Sequence, residues 1–122
     1  MQRVLLVEDN ALNRDMLSRR LIKSGFMVET AETGTEALEI LANGVFDIAL
    51  MDLNLPDIDG REVTKRLRGH EKTKDLPIIA LTASATTKDR ELSLEAGCTD
   101  FETKPVDFQS LINKIKLCTN AE

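Results

Sequence analysis

The strongest constraint on this chain is a repeated alternation of short apolar runs with longer stretches of helical periodicity. Arg3–Val7, Met27–Ala31, Phe46–Met51, Pro77–Leu81 and Thr99–Glu102 read as five strands, and a helical stretch follows each of them. Parallel neighbours need a crossover between them, and a helix is the usual one. Five strands alternating with five helices therefore predict an α/β domain, a parallel sheet covered on both faces. The runs at residues 3–7, 46–51 and 77–81 are nearly continuous in apolar residues, as double coverage requires. Met27–Ala31 carries Glu29 inside it and reads as an edge.

The helix signals are local. Asn10 to Lys23 places Leu12, Met16, Leu17 and Leu21 at helical spacing, with Gly25 as a stop. Thr33-Gly34-Thr35-Glu36 resembles a capping box for a helix reaching about Ala42, ended by Gly44. Asp59 and Glu62 mark the next start, with Val63 and Leu67 inward. Thr87 or Lys88 opens a short helix closed by Gly97, and Asp107 caps the last, where Phe108, Leu111, Ile112, Ile115 and Cys118 recur. Met16, Met27 and Met51 are expected in the core. His70 lies in a charged run and is given no role, and Lys72 and Lys74 alternate with acids without forming a patch.

In such a fold the ligand site lies outside the carboxyl ends of the strands. The first strand ends at Glu8-Asp9, the third at Asp52, the fourth at Thr82 and the fifth just before Lys104-Pro105. Three carboxylates on one rim repel, and a divalent cation resolves the conflict. Oxygen donors select Mg²⁺ or a similar hard ion, which keeps positions for water and a phosphoryl oxygen. Lys104 adds a point charge suited to phosphate, and the Thr82 hydroxyl can donate to a phosphoryl oxygen. These parts match phosphoryl transfer, in which positioning and charge neutralisation supply most of the catalysis. Asp52, at the end of a buried strand and the start of a turn-rich loop, is the expected nucleophile. Glu8 and Asp9 are expected to bind the metal.

Taken in order, Glu8-Asp9, Asp52, Pro56, Gly60, Thr82-Ala83 and Lys104-Pro105 resemble the receiver domain of two-component response regulators, from Val4 to the last helix. The resemblance implies a flavodoxin-like, doubly wound five-stranded sheet in the order 2-1-3-4-5. It implies Mg²⁺, with Mn²⁺ able to substitute, held by the side chains of Asp9 and Asp52, by the Asn54 backbone carbonyl and by Glu8 through water. Thr82 and Lys104 would hold the phosphoryl group, Phe101 would be the switch aromatic, and Asn54 and Ser84 would tune dephosphorylation. On phosphorylation the loop Ala83 to Thr87 would shift and Phe101 would move inward. The implied donor is a histidine kinase or a histidine phosphotransfer protein, docking near Leu12, Asn13 and Met16. The implied readout is the face formed by the fourth helix, fifth strand and fifth helix. Glu8 to Asn13 resembles receivers of hybrid kinases and phosphorelays.

Length and charge narrow the alternatives. At 122 residues the chain is read as one receiver domain, 1–122, with no output domain, signalling by binding a partner or relaying its phosphoryl group. A net charge of -5 argues against nucleic acid and anionic membrane as partners. No apolar run approaches a membrane span, and the first is too short and too early for a signal peptide. Cys98 and Cys118 follow no spacing motif, which fits a reducing cytoplasm. Three rival readings remain. An aspartate-nucleophile phosphohydrolase would want a second acid where Asn54 stands. A flavin module would want a phosphate-cradling loop after the first strand, where acids stand instead. A phosphorylation-independent scaffold would not need the full constellation.

Overall fold

The computed structural model describes residues 1–84 and 86–119. Along the chain run β1 (Arg3–Val7), α1 (Ala11–Lys23), β2 (Met27–Ala31), α2 (Gly34–Asn43), β3 (Ile48–Asp52), α3 (Gly60–Arg68), β4 (Ile78–Thr82), α4 (Thr87–Ala96), β5 (Asp100–Thr103) and α5 (Phe108–Thr119). The strands form one parallel sheet in the order β2-β1-β3-β4-β5. Every residue of β3 and β4 is buried, because helices cover both faces of these central strands. On one face Leu5, Val7, Ala49, Met51, Ile78 and Ala80 pack with α2 and α3. On the other, Val4, Leu6, Ile48, Leu50, Ile79 and Leu81 pack against α1 and α5.

Most helix starts fall where the short polar residues stand. Asn10, Thr33, Asp59 and Thr86 each accept a backbone N–H of their own first turn, and Asp107 accepts from Ser110 N. The box at Thr33 is only half of the expected reciprocal pair. Thr33 accepts from Glu36 N, but the Glu36 carboxylate accepts from Glu32 N, one residue before the cap. Gly97 ends α4 at φ 108, a left-handed conformation that a Cβ would strain.

Three apolar residues of the sequence reading are exposed. Leu12 and Met16 on α1 are 82% and 47% exposed, and Met27 is 51% exposed. Only Leu17 and Leu21 of α1 are buried. At roughly 100° per residue, Met16 points about 100° and Leu12 about 140° away from Leu17. Met27 shares a side of β2 with Glu29, since strand side chains alternate. Met51, by contrast, is fully buried.

Asp57, in the loop between β3 and α3, grips another element. Its carboxylate accepts from Gly34 N at 2.8 Å, Thr35 N at 2.9 Å and Thr35 Oγ1 at 2.6 Å. The Thr35 hydroxyl, then the Thr35 and Gly34 amides, hold Asp57 well below its ordinary 3.8. A folded carboxylate that is the stronger acid stabilises fully above the unfolded value and loses that contribution as pH falls through the folded one. Melting temperature measured against pH should therefore show a shallower decline below 3.8 in Asp57→Ala than in the wild type, from a lower plateau.

Candidate functional site

Strand register assembles the site. Val7 pairs with Met51, which sets Glu8 beside Asp52, and Thr82 pairs with Thr103, which brings Lys104 next to the same row. Lys104 N donates to Thr82 O at 2.7 Å, fixing β5 at that point. Asp52 pairs with Leu81 and is the last residue of β3, 1% exposed.

At the centre, Lys104 Nζ lies 2.9 Å from Asp52 Oδ2 and 3.2 Å from Glu8 Oε1. The other Asp52 oxygen, Oδ1, accepts from Asn54 N at 3.0 Å. Glu8 is fully buried and Asp9 exposed, so the adjacent acids diverge as they leave β1. Burial, then the Asp52 carboxyl beside it, pushes Glu8 up to about 7 against the pull of Lys104. Burial alone would lower Lys104, but the hydrogen bonds and charges of Asp52 and Glu8 outweigh it and raise it.

Glu8, Asp9 and Asp52 each offer an oxygen within 4.8 Å of the others. One lysine faces two buried carboxylates, with a third nearby. That is a set of hard donors with charge to spare, and it fits a small divalent cation.

The other expected residues lie around this centre. Thr82 is 7% exposed. Its hydroxyl donates to Ser84 O at 3.2 Å and accepts from Ser84 N at 3.1 Å. Ser84 Oγ donates to Asp89, which also accepts from Thr86 Oγ1 at 2.7 Å and lies 3.6 Å from Arg61. Phe101 is half-buried, with the Arg90 guanidinium 4.6 Å and the Lys114 ammonium 5.3 Å from its ring centre. The expected movement of the loop Ala83 to Thr87 includes Ala85, which lies outside the described residues.

One contributor went unread in the sequence. Arg14 Nη1 donates to the Glu8 carbonyl at 3.0 Å and the Asp9 carbonyl at 3.3 Å, while Nη2 pairs with Glu32 at 3.1 Å. This guanidinium holds the turn that presents both acids, and its place one turn into α1 was the only available signal. Gly60, already among the motif residues read in the sequence, has a steric role. A Cβ there would lie 2.5 Å from the Asp52 carbonyl oxygen and 2.8 Å from Leu53 Cα, so the start of α3 can approach the end of β3 only through glycine.

A family model described as the response regulator receiver domain matches residues 4–116. The chain is 42% identical over 118 residues to hybrid signal transduction histidine kinase M of Dictyostelium discoideum, covering 93% of this chain and 5% of that protein. It is 36% identical over 113 residues to the polar-differentiation response regulator DivK of Brucella ovis, covering 93% and 92%. The structure is similar to the receiver domain of the sensor histidine kinase PA1611 from Pseudomonas aeruginosa, which holds a magnesium ion in its active site cleft. The TM-score is 0.91 at 35% identity over 98% of each chain. It is equally similar to the receiver domain of Ssk1, solved with the histidine phosphotransfer protein Ypd1 of Saccharomyces cerevisiae, with a TM-score of 0.91 at 35% identity over 99% and 92% of the two chains.

Proposed function

The chain belongs to the response regulator receiver domain family, and from that membership we propose that Asp52 accepts a phosphoryl group from a histidine kinase or a histidine phosphotransfer protein. The observation that carries the reading is the nearly buried Asp52 carboxylate, 2.9 Å from Lys104 and within 4.8 Å of oxygens on Glu8 and Asp9. An Asp52 oxygen attacks phosphorus, the phosphorus–nitrogen bond to the donor imidazole breaks, and the imidazole leaves with that electron pair. An acyl phosphate on Asp52 results. Asp9 and Asp52 would hold Mg²⁺ by their side chains, with the Asn54 carbonyl and, through a water, Glu8. Bound there, the ion supplies charge neutralisation for the phosphoryl oxygens.

The Lys104 ammonium then pairs with the phosphoryl group in place of its present carboxylate partners. Thr82 exchanges Ser84 for a phosphoryl oxygen. Ser84 is bonded to Asp89 on α4, so the exchange reaches the face made by α4, β5 and α5, which we read as the downstream surface. Phe101 follows inward from beneath Arg90. The donor docks at α1, where Leu12 is exposed and Asn13 and Met16, with Arg20, Lys104 and Pro105, line a groove of about 550 Å³ beside Glu8. No described helix is long and apolar enough to cross a membrane. Both cysteines are free, which fits the reducing cytoplasm in which we place the chain.

The test is intact-mass analysis after incubation with acetyl phosphate, with and without Mg²⁺. A Mg²⁺-dependent, hydroxylamine-labile adduct is the expected result. No adduct from acetyl phosphate or from an active histidine kinase, in a folded sample, would sink the reading in favour of a phosphorylation-independent scaffold. Lys104→Ala should still take up the phosphoryl group but lose the change in partner affinity that follows. Normal phosphorylation-dependent partner binding by that variant, read by calorimetry, would contradict the switch role of Lys104.

A further inference from the structure

We propose that Asp57 is a positioning residue for the cation site: by gripping the N-terminus of α2 it fixes the loop that carries Asn54, and so sets the affinity of the Glu8–Asp9–Asp52 cluster for Mg²⁺. The inference rests on the reading of that cluster as a cation site.

The loop between β3 and α3 is fastened at its ends to Asp52, the last residue of β3, and to Leu53, which follows it. Asn54 N is held by Asp52 Oδ1 at 3.0 Å, and Gly60 N donates to Leu53 O at 3.1 Å. Between these ties, Asp57 anchors the loop to a separate element through three hydrogen bonds of 2.6 to 2.9 Å. Loop and helix are also in direct apposition. A Cβ at Gly34 would lie 2.8 Å from Val63 Cγ2 and 3.2 Å from Ile58 Cβ.

Simple helix capping does not account for the grip. α2 already has a cap, since Thr33 Oγ1 accepts from Glu36 N at 3.1 Å. The Asp57 carboxylate adds acceptors for the Gly34 and Thr35 amides at the positive end of the helix. What it contributes beyond Thr33 is a fixed distance between α2 and the loop. Groups that orient metal ligands from behind change affinity strongly when removed.

Mg²⁺ titration calorimetry on folded wild type, Asp57→Ala, Asp57→Asn and Thr33→Ala tests the idea. Asp57→Ala should weaken Mg²⁺ binding roughly tenfold. Labelling by acetyl phosphate at saturating Mg²⁺ should stay near wild type while the half-saturating Mg²⁺ concentration rises. Asp57→Asn removes the charge but keeps one acceptor oxygen, and should recover part of the affinity. Thr33→Ala removes the helix's own cap, and should lower the melting temperature without moving Mg²⁺ affinity. Wild-type affinity in Asp57→Ala, or an equal loss in Thr33→Ala, would overturn the proposal. Asp57→Asn as weak as Asp57→Ala would assign the effect to charge and overturn it equally. A wild type that binds no Mg²⁺ would strike the cation-site reading itself, and the proposal with it.

Discussion

Asp52→Asn should abolish the Mg²⁺-dependent phosphoryl adduct completely while leaving the fold intact and, without metal, more stable than wild type. Loss of labelling follows from the proposed role of Asp52 as nucleophile, because an amide oxygen cannot form a stable acyl phosphate. The gain in stability follows from the electrostatics. Asp52 and Glu8 are nearly buried and share one lysine. Burying charges is costly unless each is well paired. An asparagine oxygen can still accept from Lys104, and the lysine then has Glu8 as its single charged partner. Asn54 N then loses its side-chain acceptor and turns to solvent, to which Asn54 is exposed. Intact mass and thermal melting in chelator read the two effects together. An Asp52→Asn protein that is labelled, or that melts below wild type in chelator, would contradict this account of the site.

Leu50→Ala should destabilise the domain by about 2–5 kcal/mol, the range for emptying a buried leucine. Against a total of about 5–15 kcal/mol for a domain of this kind, that is a drop in melting temperature of roughly 10 °C or more. Leu50 is fully buried and pairs with Leu6 and Ile79 on its two neighbours. The central strands are close-packed on both faces, and α1 and α5 are held from this side, so the cavity has little room to collapse. Leu50 is two residues before Asp52 on the same side of β3, and the loosened strand should also slow phosphoryl uptake. Thermal melting decides the first claim, with a change under about 1 °C counting against it; labelling rates well below the melting temperature decide the second.

Much of this molecule is legible in its sequence because the signals are local and mutually consistent. The apolar runs locate the strands, and Asn10, Thr33, Asp59 and Asp107 locate helix starts. The shift of the third strand from 46–51 to Ile48–Asp52 shows where composition misleads. Phe46 packs on the core without joining the sheet, while the ladder continues through the polar Asp52. The convergence of Glu8, Asp9, Asp52 and Lys104 was readable because a parallel sheet brings all strand C-termini to one rim. Three things were not. The α1 periodicity could not tell which of two ridges, Leu12–Met16 or Leu17–Leu21, faces the sheet, since that depends on the strands it meets. The grip of Asp57 on α2 joins residues 22 and 23 apart, and no local pattern records such a partner. Nor could the sequence show that the Thr82 hydroxyl is engaged by Ser84, which bears on how readily the proposed switch would move.

The pairing of Lys104 with two distant carboxylates bears on how the protein is born. Lys104 lies 52 residues after Asp52 and 96 after Glu8. At about 5–20 residues per second, the ribosome adds the lysine roughly 3–10 s after Asp52. During that interval the growing chain holds the acids without the cation that balances them, and β5 has yet to add to β4. A nascent chain cannot complete this centre before β5 emerges, which delays pairing of the two acids with Lys104 until that strand has left the ribosome.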